Sequence, residues 1–168
     1  QVKLPDNMKL LNSYAFSGCT SLMSINIPDN CTINSEVFLG DVSLATVSIS
    51  DTNTMTYIGG NAFKGCTQLK EINIPDACEV IGYRSFYGCS ALEKVNVSEN
   101  SNLQLIAVEA FYNCTALKSI YIPSKVYQIS NHSFYGCSSI TTVTIPKSVV
   151  CIDDDAFDSR ERNSKLRI

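Results

Sequence analysis

The side chains that could do chemistry in this sequence are eight cysteines, a single histidine and a run of three aspartates. A nucleophilic cysteine needs a base within hydrogen-bond reach. His132 and Cys137 flank Phe134, but Cys137 is expected to point inward and His132 to lie on the surface. Asp153–Asp155 lack the spaced ligands of a calcium loop, so they are interpreted as a solvated edge. The sequence therefore predicts no enzyme, no catalytic residue, no metal site and no cofactor.

Composition excludes further classes of function. The 168 residues carry a formal net charge of −3, and 17% of them are charged. This mildly acidic chain lacks the basic field of a general nucleic-acid or membrane-surface binder. No apolar run approaches the ~18 residues of a membrane span, and no charged-then-apolar leader precedes Leu4. We expect no nucleic-acid partner and no membrane insertion, whereas secreted, anchored and cytosolic locations all stay open.

The elements that position these side chains follow from an internal repeat of 22 to 25 residues. Leucine or isoleucine stands five residues before each phenylalanine, and cysteine most often stands three residues after it. A pair of Ile, Val or Leu follows at nine and eleven residues. The phenylalanines that mark the repeat are all that the chain has: Phe16, Phe38, Phe63, Phe86, Phe111, Phe134 and Phe157.

Each repeat is predicted to contribute one short strand. In the segment Ile72-x-Ile74-Pro75, β-branched residues alternate with polar ones, and a proline then ends the strand. A unit of this length cannot bury its apolar side alone, whereas stacked units can. We therefore predict a single solenoid over residues 1–168, made of seven repeats plus a leading strand at Val2 and Leu4, with the last strand at Leu166 and Ile168.

The repeat pattern is I-G-x-x-[AS]-F-x-G-C-x-x-L-x-x-[IV]-x-[IV]-P, and residues 58–66 and 81–92 carry it most fully. This pattern resembles the BspA-type (Treponema-type) leucine-rich repeat across practically the whole chain. The resemblance implies an α/β-type repeat, a leucine-rich-repeat solenoid. It would have a parallel concave β-sheet of about eight short strands, with mostly turns and short irregular or 3-10 segments on the convex side. Four residues depart from the motif: Asp41, Ser50, Ser98 and Asn113.

Five cysteines occupy one position of the repeat, once per turn. Parallel side chains stacked in this way rarely meet the geometry of a disulfide, and no C-x-x-C pair suggests zinc. We predict buried free thiols that form a structural ladder beside the phenylalanine ladder: Cys19, Cys66, Cys89, Cys114 and Cys137. Cys31 and Cys78 are expected to be small core residues, and Cys151 is the best candidate for an exposed, reactive thiol.

Polar positions of the strands are expected to point outward from the concave sheet. They form two columns of mostly small polar side chains. The aromatic Tyr121 and the charged Glu71 and Lys94 stand out among them as residues that favour contact with a partner. These columns are interpreted as a binding surface for an extended protein or glycan, or alternatively as a merely solvated face. The candidate protein-binding residues are Glu71, Asn73, Lys94, Asn96, Ser119, Tyr121, Thr142 and Thr144.

The function implied by the resemblance is a non-catalytic protein-recognition module of a surface or secreted protein. Adhesion or binding to host matrix proteins is then the expected activity. The alternative is an intracellular scaffold or regulatory subunit, which unpaired cysteines would permit, and a third is a structural spacer. Because neither end carries a polar capping turn, we expect either a fragment of a longer repeat protein or end-to-end self-association.

Overall fold

The computed structural model describes residues 2–158, which coil into a solenoid built from two parallel sheets without any helix in that range. The strand predicted at Leu166 and Ile168 lies outside the described residues. In chain order the strands are β1 (Leu10–Leu11), β2 (Ser24–Ile27), β3 (Thr32–Ile33), β4 (Thr46–Ile49), β5 (Tyr57–Ile58), β6 (Glu71–Asn73), β7 (Val80–Ile81), β8 (Lys94–Asn96), β9 (Leu105–Ile106), β10 (Gln128–Ile129) and β11 (Cys151–Ile152).

A four-stranded sheet in the order β2-β4-β6-β8 contains the strands predicted from the alternating pattern. Isolated pairing of Val2 with Ile25 adds the leading segment to its edge. The ladder ends after β8, although burial still alternates through Ser119–Ile122. This sheet therefore has fewer strands than the eight expected, while the predicted solenoid class is confirmed.

A second sheet, which the sequence pattern did not predict, runs along the opposite part of every turn. Its seven two-residue strands pair in the order β1-β3-β5-β7-β9-β10-β11. Each of them ends on the Leu or Ile five residues before a phenylalanine, as Ile81 does in β7. Backbone bonds such as that from the Gly82 N–H to the Ile58 carbonyl, at 3.1 Å, extend this ladder. The second wall of the solenoid is thus hydrogen-bonded from β1 to β11, and the first wall from β2 to β8.

Between the two sheets, the segment around each phenylalanine forms a third set of bonds between turns. The Phe86 and Gly88 N–H groups both donate to carbonyls of the next turn at 2.8 Å. The residue two positions after the phenylalanine takes a positive φ, which glycine adopts without strain. Asn113 occupies this position in one turn with φ 56°. Asparagine tolerates that conformation better than most residues, so the departure from the motif leaves the turn intact.

The seven phenylalanine rings stack through the centre of the solenoid. Neighbouring ring centroids lie 5.0–5.6 Å apart with interplanar angles of 3–12°. Phe38, Phe63, Phe86 and Phe111 are fully buried, whereas Phe16 and Phe157 are partly exposed. The predicted phenylalanine ladder is confirmed, and it follows the spacing of the strands.

The thiol ladder is confirmed in four of its five positions. Each buried thiol donates a hydrogen bond to the carbonyl of the phenylalanine one turn earlier, at 3.1–3.2 Å. These thiols are Cys66, Cys89, Cys114 and Cys137. All eight cysteines are free, and burial raises the pKa of Cys66 to about 12.

The prediction that Cys19 is buried is wrong, because this thiol is exposed. Among the described residues no earlier turn covers it with a phenylalanine. Cys31 and Cys78 are buried, and Cys151 is exposed, as expected.

Asp41 takes the place of cysteine in the second turn, and it is fully buried. Its Oδ1 accepts a hydrogen bond from the Cys19 N–H at 2.7 Å, while its Oδ2 is buried without a partner. Removal from water disfavours the charged form, so burial raises the pKa of the Asp41 carboxyl. At this position of the repeat the second turn therefore has a carboxylic acid, whereas the four buried cysteines have a thiol, which is a weak neutral hydrogen-bond donor.

Truncating the middle of the ring stack should cost far more than truncating its end. We expect Phe86→Ala to lower the free energy of unfolding by about 3–5 kcal/mol, because it removes a fully buried ring and leaves a cavity. The matched variant Phe16→Ala removes a partly exposed ring and should cost no more than about half as much. Equal losses in urea-induced unfolding would contradict a stack that is stabilised mainly by burial.

Replacing Asp41 with asparagine should stabilise the protein in a pH-dependent way. Because the folded pKa of Asp41 is raised, its contribution to stability is greatest below the unfolded pKa and falls as pH rises through the folded pKa. An asparagine side chain would be neutral at every pH and would carry an amide donor. We expect Asp41→Asn to add about 1–3 kcal/mol at neutral pH, with a smaller gain below about pH 4. A gain that is independent of pH in urea-induced unfolding would contradict the raised pKa of Asp41.

Candidate protein-binding surface

An open groove of about 690 Å³ lies over β4, β6 and β8. It is lined by the outward side chains of these strands and by the residues that precede them. Glu71 and Lys94 stand side by side in register on β6 and β8, as do Asn73 and Asn96 one step along. Since neighbouring strands are about 4.8 Å apart, residues of opposite charge and two amide residues occupy adjacent positions on the floor of the groove.

The groove continues toward the next turn. A second hollow of about 540 Å³ shares Asn73, Lys94 and Asn96 with the first and adds Ser119 and Tyr121. The structure thus brings together six of the eight predicted binding residues. Thr142 and Thr144 are exposed one turn further on, and they line neither hollow.

Charges of both signs border the groove. The Lys118 ammonium pairs with the Glu93 carboxylate, and its hydrogen bond lowers the pKa of Glu93. Lys70 stands in the same column one turn before Glu93. Exposed pairs of this kind add little to stability. The column of Lys70, Glu93 and Lys118 therefore alternates in charge from turn to turn.

Asn73 has a structural role that its place in the repeat did not predict. Its Nδ2 donates to the Ile49 carbonyl at 3.0 Å and to Asp51 Oδ1 at 2.5 Å, both one turn earlier. The amide donors therefore hold the edge of β4, and the side chain is only partly available to a partner. The sequence feature that could have indicated these bonds is Asp51, an acceptor that follows the strand of the preceding turn.

The remaining chemistry-bearing residues do not assemble into a reactive site. His132 Nε2 lies 3.5 Å from Asp155 Oδ2, and the ring packs edge-on against Tyr135. The Cys151 thiol donates to Asp153 Oδ1 at 3.0 Å, and that bond raises the pKa of Cys151. A raised thiol pKa reduces reactivity, which argues against the reactive role expected for Cys151. Within residues 2–158 no group of three or more His, Cys, Asp or Glu residues could hold a metal ion.

The first turn exposes part of the core. Val2, Phe16, Cys19 and Leu22 border an open hollow of about 380 Å³, whereas the phenylalanines of the following turns are buried. End-to-end self-association through this face stays a prediction. In the described part of the chain no helix is long and apolar enough to cross a membrane.

Solved structures with the same fold come from several bacteria. A leucine-rich-repeat protein of T. pallidum is 27% identical, with a TM-score of 0.82, over 90% of this chain and 72% of that one. A leucine-rich-repeat protein of Eubacterium ventriosum is 28% identical, with a TM-score of 0.73, over 94% of this chain and 42% of that one. One from Bacteroides ovatus is 25% identical, with a TM-score of 0.58, over 97% of this chain and 53% of that one. No curated protein sequence matches the chain.

The family model for the BspA type leucine rich repeat region, with six copies, matches residues 1–100 and 32–164. These matches together cover nearly the whole chain and include every phenylalanine of the stack. Leucine-rich-repeat proteins are generally non-catalytic modules that bind other proteins. With the two sheets, the ring stack and the thiol ladder described above, the matches show that this chain belongs to the BspA-type leucine-rich-repeat family.

Proposed function

We propose that this chain recognises an extended segment of another protein across the four-stranded sheet. The observation that supports the proposal is the pair of adjoining hollows between Glu71 and Tyr121, whose linings include six of the predicted binding residues. A partner lying across the strands would contact one outward side chain per turn. Thr142 and Thr144 would extend that contact by one turn.

Two features of the groove supply specificity in this proposal. Tyr121 is 48% exposed and gives an amphipathic ring that can act as an anchor. Glu71 beside Lys94 presents both charges within one strand spacing, which favours a partner with charges of both signs. The uncharged amide of Asn96 and the hydroxyl of Ser119 add hydrogen-bonding groups between these points.

We further propose that this recognition serves adhesion to host proteins at the cell surface or after secretion. Membership of the BspA-type family supports this role. The alternative is an intracellular scaffold or regulatory subunit, and the eight free cysteines favour that alternative, because disulfides are rare in reducing compartments. Antibody labelling of intact cells that produce the protein distinguishes the two locations, since only a surface protein is labelled without permeabilisation.

Binding should depend on the groove residues. The assay is biolayer interferometry against purified extracellular-matrix glycoproteins, including laminin and collagen. We expect Lys94→Glu combined with Tyr121→Ala to weaken binding at least about tenfold, because it removes the anchor and reverses one charge. The matched control is Lys147→Glu, which makes the same charge change at an exposed position outside the groove.

An unchanged dissociation constant for the double variant would contradict recognition through this sheet. Equal weakening by Lys147→Glu would show that net charge, and not the groove, determines affinity. Failure of every matrix glycoprotein to bind the unmodified protein would contradict the adhesion role. Thermal unfolding of each variant shows that its fold is retained.

A further inference from the structure

The seven-stranded sheet carries an outward face whose chemistry differs from that of the groove. In each two-residue strand from β1 to β10 the second residue is buried and the first is at least partly exposed. The first residues of these strands form one column along the solenoid, because strand pairing aligns the first residue of one strand with the first residue of the next. This outward column is Leu10, Thr32, Tyr57, Val80, Leu105, Gln128 and Cys151.

The middle of the outward column is apolar. Tyr57 pairs in register with Val80, and Val80 pairs with Leu105. We call these three residues the apolar strip. Adjacent strands are about 4.8 Å apart, so the strip is continuous over about 10 Å. Val108, which is 36% exposed, follows Leu105 by three residues and extends the apolar surface, whereas the 44% exposed ring of Tyr83 has the Arg84 guanidinium over it, 4.8 Å from the ring centroid. Clustered exposed apolar side chains commonly mark an interaction site.

The surroundings of the strip are acidic. The three residues on either side of each second-sheet strand together include seven carboxylates and three cations, Lys9, Arg84 and Lys125. Arg84 is already paired, since its Nε lies 2.5 Å from Glu109 Oε2. The seven carboxylates belong to Asp29, Glu36, Glu79, Glu109, Asp153, Asp154 and Asp155.

Two of these carboxylates lie directly beside the outward column. Glu79 is exposed and precedes Val80 in the chain. Asp153 accepts hydrogen bonds from Gln128 at 2.9 Å and from Cys151 at 3.0 Å, which are both members of the column. A ligand on the strip would therefore have negative charge within reach both beside Val80 and at the far end.

We propose that the outward column is a second recognition surface, separate from the groove, which binds a basic amphipathic segment of a partner protein. In such a segment apolar side chains would cover Tyr57, Val80 and Leu105, while lysine or arginine would face Glu79 and Asp153. Charge complementarity favours this occupant over a second copy of the chain, whose formal net charge is −3.

The test uses a fluorescein-labelled peptide of alternating lysine and valine or leucine, measured by fluorescence anisotropy against the full chain. Two further peptides separate the contributions, one with serine at the apolar positions and one with glutamate at the lysine positions. We expect the basic apolar peptide to bind at least about tenfold more tightly than the serine-containing or the glutamate-containing peptide. Its affinity should fall as the salt concentration increases.

Substitutions in the chain locate the binding. Val80→Lys should weaken binding of the basic apolar peptide at least about tenfold, because it places in the strip a charge of the same sign as the peptide. Val80→Ile should preserve binding. Val42→Lys is the matched control, since Val42 is 44% exposed and lies outside the seven-stranded sheet. Equal weakening by Val42→Lys, or equal affinity for the serine-containing peptide, would overturn the proposal.

Self-association supplies a further outcome. If sedimentation shows a dimer that Val80→Lys dissociates, the occupant of the strip is a second copy, and the proposal is wrong. The peptide experiment tests the outward column independently of the groove. The substitutions used in the glycoprotein assay, Lys94→Glu and Tyr121→Ala, change no residue of that column.

Discussion

The rest of the structure depends on one spacing, the distance of about 5 Å between phenylalanine rings in successive turns. Parallel strands are separated by nearly the same distance, so a ring in each turn keeps both sheets in register. Extra residues in the longer repeats must therefore fold locally without separating the turns. Asn53 and Ser101 lie in such insertions, where their buried side chains accept bonds from the backbone two residues later.

A fixed core leaves the outward positions of each turn free to differ. The four-stranded sheet presents amides, hydroxyls and charges of both signs around Glu71 and Lys94. The seven-stranded sheet presents Tyr57, Val80 and Leu105 among carboxylates. One scaffold thus carries two surfaces of contrasting chemistry, and a point substitution on one of them is expected to leave the core and the other surface unchanged.

The sequence predicted the solenoid, the ring stack, the free thiols and most residues of the groove, because each recurs at a fixed place in the repeat. It did not predict the second sheet, since strands of two residues are too short to show an alternating pattern. The burial expected for Cys19 was wrong because burial in this ladder requires a preceding turn. The bonds of Asn73 to Ile49 and Asp51 depend on side-chain direction, which spacing alone does not determine.

A thiol titration without added reductant tests the core of stacked rings and thiols most directly. We predict eight reactive thiols in denaturant, because no cysteine is paired in a disulfide. In the folded protein we predict the fastest reaction at the exposed Cys19, a slower one at the exposed Cys151, whose pKa is raised by its bond to Asp153, and the slowest at the six buried thiols. Fewer than eight thiols in denaturant, or rapid native reaction at Cys89, would contradict a core built on free, buried thiols.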